Sequence, residues 1–327
     1  MIKENVIVAG AGQIGSRHLQ ALARSQRPLK VTVIEPSAAA RHTAAERVSQ
    51  VLPPGSPVEF TYLGSVARLD FSEAAVIIVA TTADVRPAVV SELISRVTTR
   101  SLILEKVAYQ SVKVFEQQLE LIEKNNIDAW INCPRRVYPF YGKLKEDLGN
   151  SEQVTLNVTG SDWGFGCNTI HYIDLLCFLT GIPACSTDYF AADGIILSGK
   201  RTGFVEFTGR AGFSNGRGQL NVNSLTMKGL PLSIEIMTPA RRMIIYEAAG
   251  RVVHMNSDNG FEPLLTAEHF PFQSELTHLV VDEIITTGRC GLTSLRESLG
   301  HHALLLPLLN SHLVAVRGYH TENCPVT

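Results

Sequence analysis

The stretch VIVAGAGQIGSRHL, residues 6–19, constrains the fold more than any other part of the chain. Four apolar residues run into Gly10-x-Gly12-x-x-Gly15, and an amphipathic segment follows. A strand ending in this spacing turns sharply at Gly10, admits a close backbone approach at Gly12 and packs its helix tightly at Gly15. The helix N-terminus, with Gln13 and Ile14 between the glycines, then directs N–H groups at whatever sits over the loop, and a pyrophosphate suits them. Glu35 follows Gly15 by 20 residues, at the end of the second strand. A carboxylate there suits the 2′-hydroxyl of NAD and repels the 2′-phosphate of NADP. Arg41, six residues on, keeps NADP open.

The rest of the first 130 residues keeps the rhythm that this loop demands. NVIVAG (5–10), KVTVIE (30–35), AAVIIVAT (74–81), SLILEK (101–106) and IDAWIN (127–132) read as strands, several of them continuously apolar, as parallel strands buried on both faces are. VEFTYL, after the turn cluster PPGSP, is a weaker strand. Segments with helical spacing alternate with them, which predicts a doubly wound α/β domain. After about residue 135 the pattern changes. NTIHYIDLLCFLTG reads as a helix ending at Gly181, and from 186 to about 255 strands alternate with glycine-bearing turns, as in an open, mainly antiparallel sheet. SELTHLVVDEIITTG and LRESLGHHALLLPLLNSHLVAV close the chain as helices. The predicted fold is an N-terminal Rossmann domain, 1–133, and a C-terminal α+β domain, 134–327, whose closing helices are left free to pack back toward the first.

Composition enters mainly by exclusion. The formal net charge is -2 and Lys and Arg form no run, which argues against nucleic acid as a partner. Six cysteines without CxxC spacing read as reduced thiols in the cytoplasm. His301 and His302, adjacent on a helix, point about 100° apart and make a poor metal pair, so no metal is expected. The first apolar run is needed as a strand rather than as a signal peptide, and ALLLPLLNSHLVAV is interrupted by Pro307, so no membrane span is expected.

Chemistry-bearing residues cluster where strands of the first domain end. Thr81 and Thr82 close the fourth strand at the carboxyl edge, where open α/β sheets bind ligands; Thr82 alone suits helix capping equally. Glu105-Lys106 ends the fifth strand. A lysine there can hydrogen-bond a substrate oxygen as charge develops on it, and a solvated ion pair would look the same in sequence. In the second domain His171 and Asp174 lie three residues apart, so a helix makes them neighbours. Asp174 can orient His171 for proton transfer or serve a structural hydrogen bond.

GAGQIGSRHLQAL, ATTADVRP, EKVAY and HYIDLL, in this order, resemble the glucose–fructose oxidoreductase, inositol dehydrogenase and rhizopine-catabolism family (Gfo/Idh/MocA). CPRRVYPFYGKLKE (133–146) is similar to the family's Asn-Arg-Arg-Phe-x-Pro segment. The resemblance covers nearly the whole chain. It implies a nicotinamide-dependent oxidoreductase acting on a sugar, cyclitol or sugar-derived substrate. Lys106 matches the family's catalytic lysine and His171 its acid/base histidine. Glu105, Lys106, Thr81 and Thr82 would lie near the cofactor, with Arg135, Arg136, Tyr138, Trp163, Cys167 and Asn168 on the substrate side. Two departures stand out. The family's aspartate four residues before the histidine is Cys167 here, and Val107 replaces the proline after the lysine. An NAD-dependent glycosidase without net redox change and a non-enzymatic cofactor-binding sensor are the alternative readings. An open sheet would pair with a copy of itself in a homodimer or homotetramer.

Overall fold

The computed structural model of the chain describes residues 3–149, 153–318 and 321–327. They form two compact units. One comprises Met1–Tyr109, Lys113–Pro134 and Pro271–Leu295, the other Gln110–Val112, Arg135–Phe270 and Arg296–Thr327.

The first unit follows the predicted alternation: β1 (Glu4–Ala9), α1 (Gln13–Leu22), β2 (Leu29–Ile34), α2 (Ala38–Ser49), β3 (Val58–Leu63), β4 (Val76–Val79), α3 (Arg86–Arg96), β5 (Ser101–Leu104), α4 (Val112–Lys124) and β6 (Asp128–Ile131). From far along the chain α7 (Gln273–Thr287) and the two-residue β17 (Thr293–Ser294) join it. The sheet runs β17-β6-β5-β4-β1-β2-β3, parallel throughout except for antiparallel β17 at one edge. Every residue of β4 and β5 is buried, which is why these strands read as unbroken apolar runs. Edge strand β3 is half-exposed and correspondingly weak in sequence. Helix α7 packs on α1, where Ser25 donates to Asp282 (3.2 Å) and Arg27 to Thr286 (2.6 Å).

The second unit is built on an eight-stranded sheet. After α5 (Pro139–Leu148) come β7 (Val154–Ser161), α6 (Phe165–Thr180), β8 (Ser186–Ala192), β11 (Gly209–Asn215), β12 (Gly218–Leu225), β13 (Ser233–Met237), β14 (Arg241–Tyr246), β15 (Arg251–Asn256) and β16 (Leu264–Ala267). Their order is β16-β15-β14-β13-β7-β12-β11-β8. Among the described residues only the β7/β12 pair of this sheet is parallel, so the mainly antiparallel expectation holds. One face is apolar: Leu156, Val158, Leu220, Val222, Ile234 and Ile236 all point into the core, with α6 packed on β7, β11 and β12. Helix α6 is buried almost all round, as its apolar composition requires.

Three sequence expectations change. Central strand β7 was not anticipated, because Thr155, Asn157 and Thr159 on its open side dilute the signal. Within the run of strands expected from 186 to about 255, the segments GIILSG and TGFVEFTG form only two-residue strands, β9 (Leu197–Ser198) and β10 (Val205–Glu206), which pair apart from the main sheet. Pro307 does not interrupt the last helix, which runs through it as α8 (Leu295–Arg317), long and apolar enough by length and composition to span a membrane. Its buried residues Leu305, Leu309 and Leu313 recur every fourth position, the stripe of a helix packed on a protein core.

Candidate cofactor and catalytic sites

The loop between β1 and α1 is a cradle whose three glycines do different work. Gly10 has φ +94°, and a Cβ there would lie 2.9 Å from the backbone of Ala80. At Gly15 a Cβ would meet the Gly10 carbonyl at 2.0 Å. Around Gly12 nothing among the described residues lies within 4 Å of the same point. Two glycines thus close the loop against itself and the residues that follow β4, and the third leaves open space at the start of α1. Gly12 is the N-cap, without a side-chain cap, and the first turn of α1 carries no acid. Such a terminus suits an anionic group. Gln13 is exposed beside it and Ile14 half-buried.

Glu35 lies at this loop. Its carboxylate accepts from Ala11 N–H and Ser37 N–H, both at 2.9 Å. Arg41 is held beside it by the carbonyls of Glu35 and Pro36, at 2.5 and 2.9 Å. At the carboxyl edge of the sheet Thr81 Oγ1 is buried without a hydrogen-bond partner among the described residues. The open Gly12 space, the bare N-terminus, the Glu35 carboxylate and the Thr81 hydroxyl together fit a dinucleotide. Thr82 is half-buried at the same edge and its carbonyl accepts from Arg86 N–H.

Lys106 is half-buried at the end of β5, and the peptide joining it to Val107 is cis. Glu105, expected to touch the cofactor, is buried and hydrogen-bonded within the first unit. His18 Nε2 lies 2.9 Å from its Oε1, and Asn132 donates to the same oxygen at 2.5 Å. Thr277 holds His18 Nδ1 at 2.8 Å, and Gln273 bonds both Asn132 (2.8 Å) and Thr277 (2.9 Å). Burial pushes the Glu105 carboxyl up, but His18, Asn132 and the Lys106 charge outweigh it and hold the group below its ordinary value. Glu105 therefore fixes the base of the Lys106 segment. Buried Arg86 holds the other side, donating from Nη1 to the carbonyls of Val107 and Ala108 (2.5 and 2.6 Å) and from Nη2 to that of Thr81. Sequence reading missed this network. His18 follows Gly15 by one helical turn, so its inward direction was legible; Asn132, Gln273, Thr277 and Arg86 gave no such signal.

In the second unit α6 begins at Gly164, which has φ +80°. A Cβ there would lie 2.9 Å from Cys167 Sγ, 2.9 Å from Asn168 Nδ2 and 3.1 Å from Glu206 Oε2. The carboxylate absent from position 167 is thus brought to the same corner by Glu206 of β10, which also accepts from Gly166 N–H at the helix start. No sequence signal pointed to it. Asn168 donates to the Trp163 carbonyl at 2.5 Å, and His171 is half-buried one turn on.

Asp174, expected as His171's catalytic partner, also has internal partners of its own. Its carboxylate is fully buried and accepts from Arg136 Nε on both oxygens at 2.9 Å, with His301 Nδ1 3.7 Å away. Closed to solvent and charge-compensated by a guanidinium, it anchors α6. Arg136 also donates to Glu297 at 2.6 Å. Burial disfavours its charge, but Asp174 and then Glu297 more than restore it. Asp174, Glu297 and His301 converge closely enough to suit a cation, and the Arg136 guanidinium already lies against both carboxylates. Arg135 is likewise taken up internally, by Glu247 at 2.9 and 2.6 Å and by the face of Tyr172 at 4.7 Å. Trp163 is buried, donates Nε1 to the Asn223 carbonyl (2.9 Å) and packs edge-on to Phe165 and Tyr172. All three, expected on the substrate side, have internal partners at their polar edges. Tyr138 is half-buried, stacked on Tyr141, with burial pushing its hydroxyl up.

No family model matches the sequence, and no curated protein matches it. Solved structures do match its fold. The dehydrogenase MviM from Clostridium difficile superposes with a TM-score of 0.71 at 14% identity, covering 95% of this chain and 100% of that one. UDP-N-acetylglucosamine 3-dehydrogenase GnnA from Acidithiobacillus ferrooxidans gives 0.67 at 15%, covering 94% and 97%. A super-repressor mutant of Gal80p from Saccharomyces cerevisiae gives 0.70 at 14%, covering 96% and 97%. The chain has the Gfo/Idh/MocA fold.

Proposed function

We propose that the chain is an NAD(P)-dependent oxidoreductase, with NAD preferred. It would move a hydride between the nicotinamide and a hydroxyl-bearing or keto carbon of a sugar, cyclitol or sugar-derived substrate. The cradle at Gly10–Gly15 carries this reading, because its middle glycine leaves open space at an uncapped helix N-terminus. Glu35 at the same loop favours a free ribose hydroxyl over a phosphate. GnnA, a sugar-nucleotide dehydrogenase of the same fold, supports the substrate class. The redox chemistry belongs to the bound nicotinamide. Lys106 would donate a hydrogen bond to the reacting oxygen and stabilise charge on it, with the buried network behind Glu105 and Arg86 fixing its segment. His171 would exchange the hydroxyl proton. Asn168 and Tyr138 would meet substrate hydroxyls. The cytoplasm suits such an enzyme and its free thiols, and the open sheet face suits a homo-oligomer; light scattering that gives the mass of one chain would exclude the latter.

The test begins with NADH and NADPH titrations, read by nicotinamide fluorescence and by energy transfer from Trp130 and Trp163. Tighter NADH binding is expected, followed by NADH production with polyols of the sugar and cyclitol classes. Lys106→Met should then lower turnover by about 10²-fold or more while sparing NADH affinity; unchanged turnover removes Lys106 from the mechanism. A second reading rests on Cys167 and on the match to Gal80p: a cofactor-binding regulator without turnover. It takes over if NADH binds and no polyol is oxidised.

A further inference from the structure

The chain has six cysteines, and two of them meet. Cys177 lies in the last turn of α6 and is buried; Cys185 lies just before β8 and is half-exposed. Their sulfurs are 3.3 Å apart. Eight positions separate them, with the left-handed Gly181 (φ 71°) and Pro183 reversing the chain between. The Pro183 carbonyl lies 3.5 Å from Cys177 Sγ, and Asn215 Nδ2 lies 3.8 Å from Cys185 Sγ. We propose that Cys177 and Cys185 are an oxidisable dithiol, a modification site at which a peroxide closes a disulfide across the C-terminal end of α6.

Three observations support it. The sulfurs need to approach by only roughly 1 Å to reach a bonding distance of about 2.05 Å, and the turn that carries Cys185 lies at the surface. The two thiols are inequivalent: Cys185 is half-exposed with the Asn215 amide 3.8 Å from its sulfur, whereas contact with Cys185 and burial push the Cys177 thiol up. The nucleophilic sulfur is therefore also the solvent-reachable one. Elsewhere burial raises Cys290 and Cys324 to about 12, which makes them poor competitors.

The chemistry balances with hydrogen peroxide as the oxidant. The Cys185 thiolate attacks one peroxide oxygen, the O–O bond breaks, and hydroxide leaves to become water. Cys177 sulfur then attacks the Cys185 sulfenic acid; the S–S bond forms, the S–O bond breaks, and the departing hydroxide takes the Cys177 proton. Two thiols lose two electrons in all, and the peroxide becomes two waters.

The test needs neither a cofactor nor a substrate, so it stands apart from the oxidoreductase reading. The folded full chain is treated with hydrogen peroxide, quenched, denatured and alkylated. Trypsin leaves both cysteines in one peptide, since no Lys or Arg lies between 146 and 199, so chymotryptic cleavage at Phe178 separates them. The expected result is loss of two of the six alkylatable thiols, with the 177 and 185 peptides linked and lighter by two hydrogens, and recovery of both on reduction. Cys177→Ser should stop Cys185 at the sulfenic acid, trapped by dimedone, and Cys185→Ser should leave Cys177 alkylatable. Both thiols surviving, Cys185 passing to the sulfinic acid with Cys177 still a thiol, or cross-links to Cys167 or Cys290 would each overturn the proposal. The wild-type map decides even if a variant misfolds.

Discussion

Gly12 and Gly15 stand three positions apart and separate two jobs that a single motif usually hides. A methyl group at Gly15 runs into the Gly10 carbonyl at 2.0 Å, a backbone atom that cannot swing away. Gly15→Ala should cost about 1–3 kcal/mol or more in stability and weaken NADH binding through the distorted loop. Gly12→Ala meets nothing and keeps a negative φ of -64°, so its stability should change by no more than about 1 kcal/mol. Its methyl would occupy the space left for the pyrophosphate, and NADH affinity should fall at least tenfold. Urea midpoints and NADH titrations of the two variants measure this; equal NADH affinity for Gly12→Ala and wild type would show that no phosphate lies over the loop. Glu105 gives a pH test. Its carboxyl titrates below the ordinary value in the folded chain, so the stability it contributes is fully present above about pH 4.3 and is lost as pH falls through the lowered value. Glu105→Gln should cost about 1–3 kcal/mol near neutrality, and its deficit should shrink on acidification below about pH 4. Urea midpoints from pH 3 to 7 test this, and a deficit constant across the range would contradict it.

Helix α6 carries both what the sequence reveals and what it conceals. Its C-cap at Gly181 was legible, because a left-handed glycine followed by proline is a local signal. The ion pair of Asp174 was not, because its partner Arg136 lies 38 positions earlier and Arg136's second partner, Glu297, 161 positions later. Spacing along a helix names only neighbours on that helix, so His171 was the visible partner. The strands divide the same way. Those buried on both faces, β1, β4 and β5, read plainly, whereas β7, open on one side and rich in Thr and Asn there, did not. The cradle was readable because its chemistry is local; the network behind Lys106 was not, because it is assembled from residues as distant as His18 and Thr277. Asp174→Asn tests the anchor. It would leave Arg136 with half its compensation at a buried position, for an expected cost of about 3–5 kcal/mol in urea denaturation. A loss below about 1 kcal/mol would mean that Arg136 is held by Glu297 alone, and would favour a direct role for Asp174 beside His171.

At the scale of the chain, the first unit cannot be completed from its own N-terminal half. Residues 1–134 supply six of its seven strands, but α7 and β17 come from 271–295. Without them the inner face of α1 loses its cover, and His18 loses the Thr277 hydroxyl that holds its Nδ1. Asn132 also loses Gln273, so the network that fixes Glu105 would keep only its His18 and Asn132 links. Uncovering the apolar side chains of one helix–helix contact costs several kcal/mol at about 25 cal/mol per Å², which is comparable to the whole stability of a domain this size. A fragment of residues 1–134 should therefore lack a cooperative melt and bind NADH far more weakly than the full chain. Joining residues 271–295 to it through a flexible Gly/Ser linker should restore both. Circular dichroism melts and NADH titrations of the two fragments decide the matter: a cooperative melt and full NADH affinity in the short fragment would show that α7 is dispensable. Restoration by the appended segment would show that the cofactor cradle depends on a helix that the chain delivers only after threading most of the second unit.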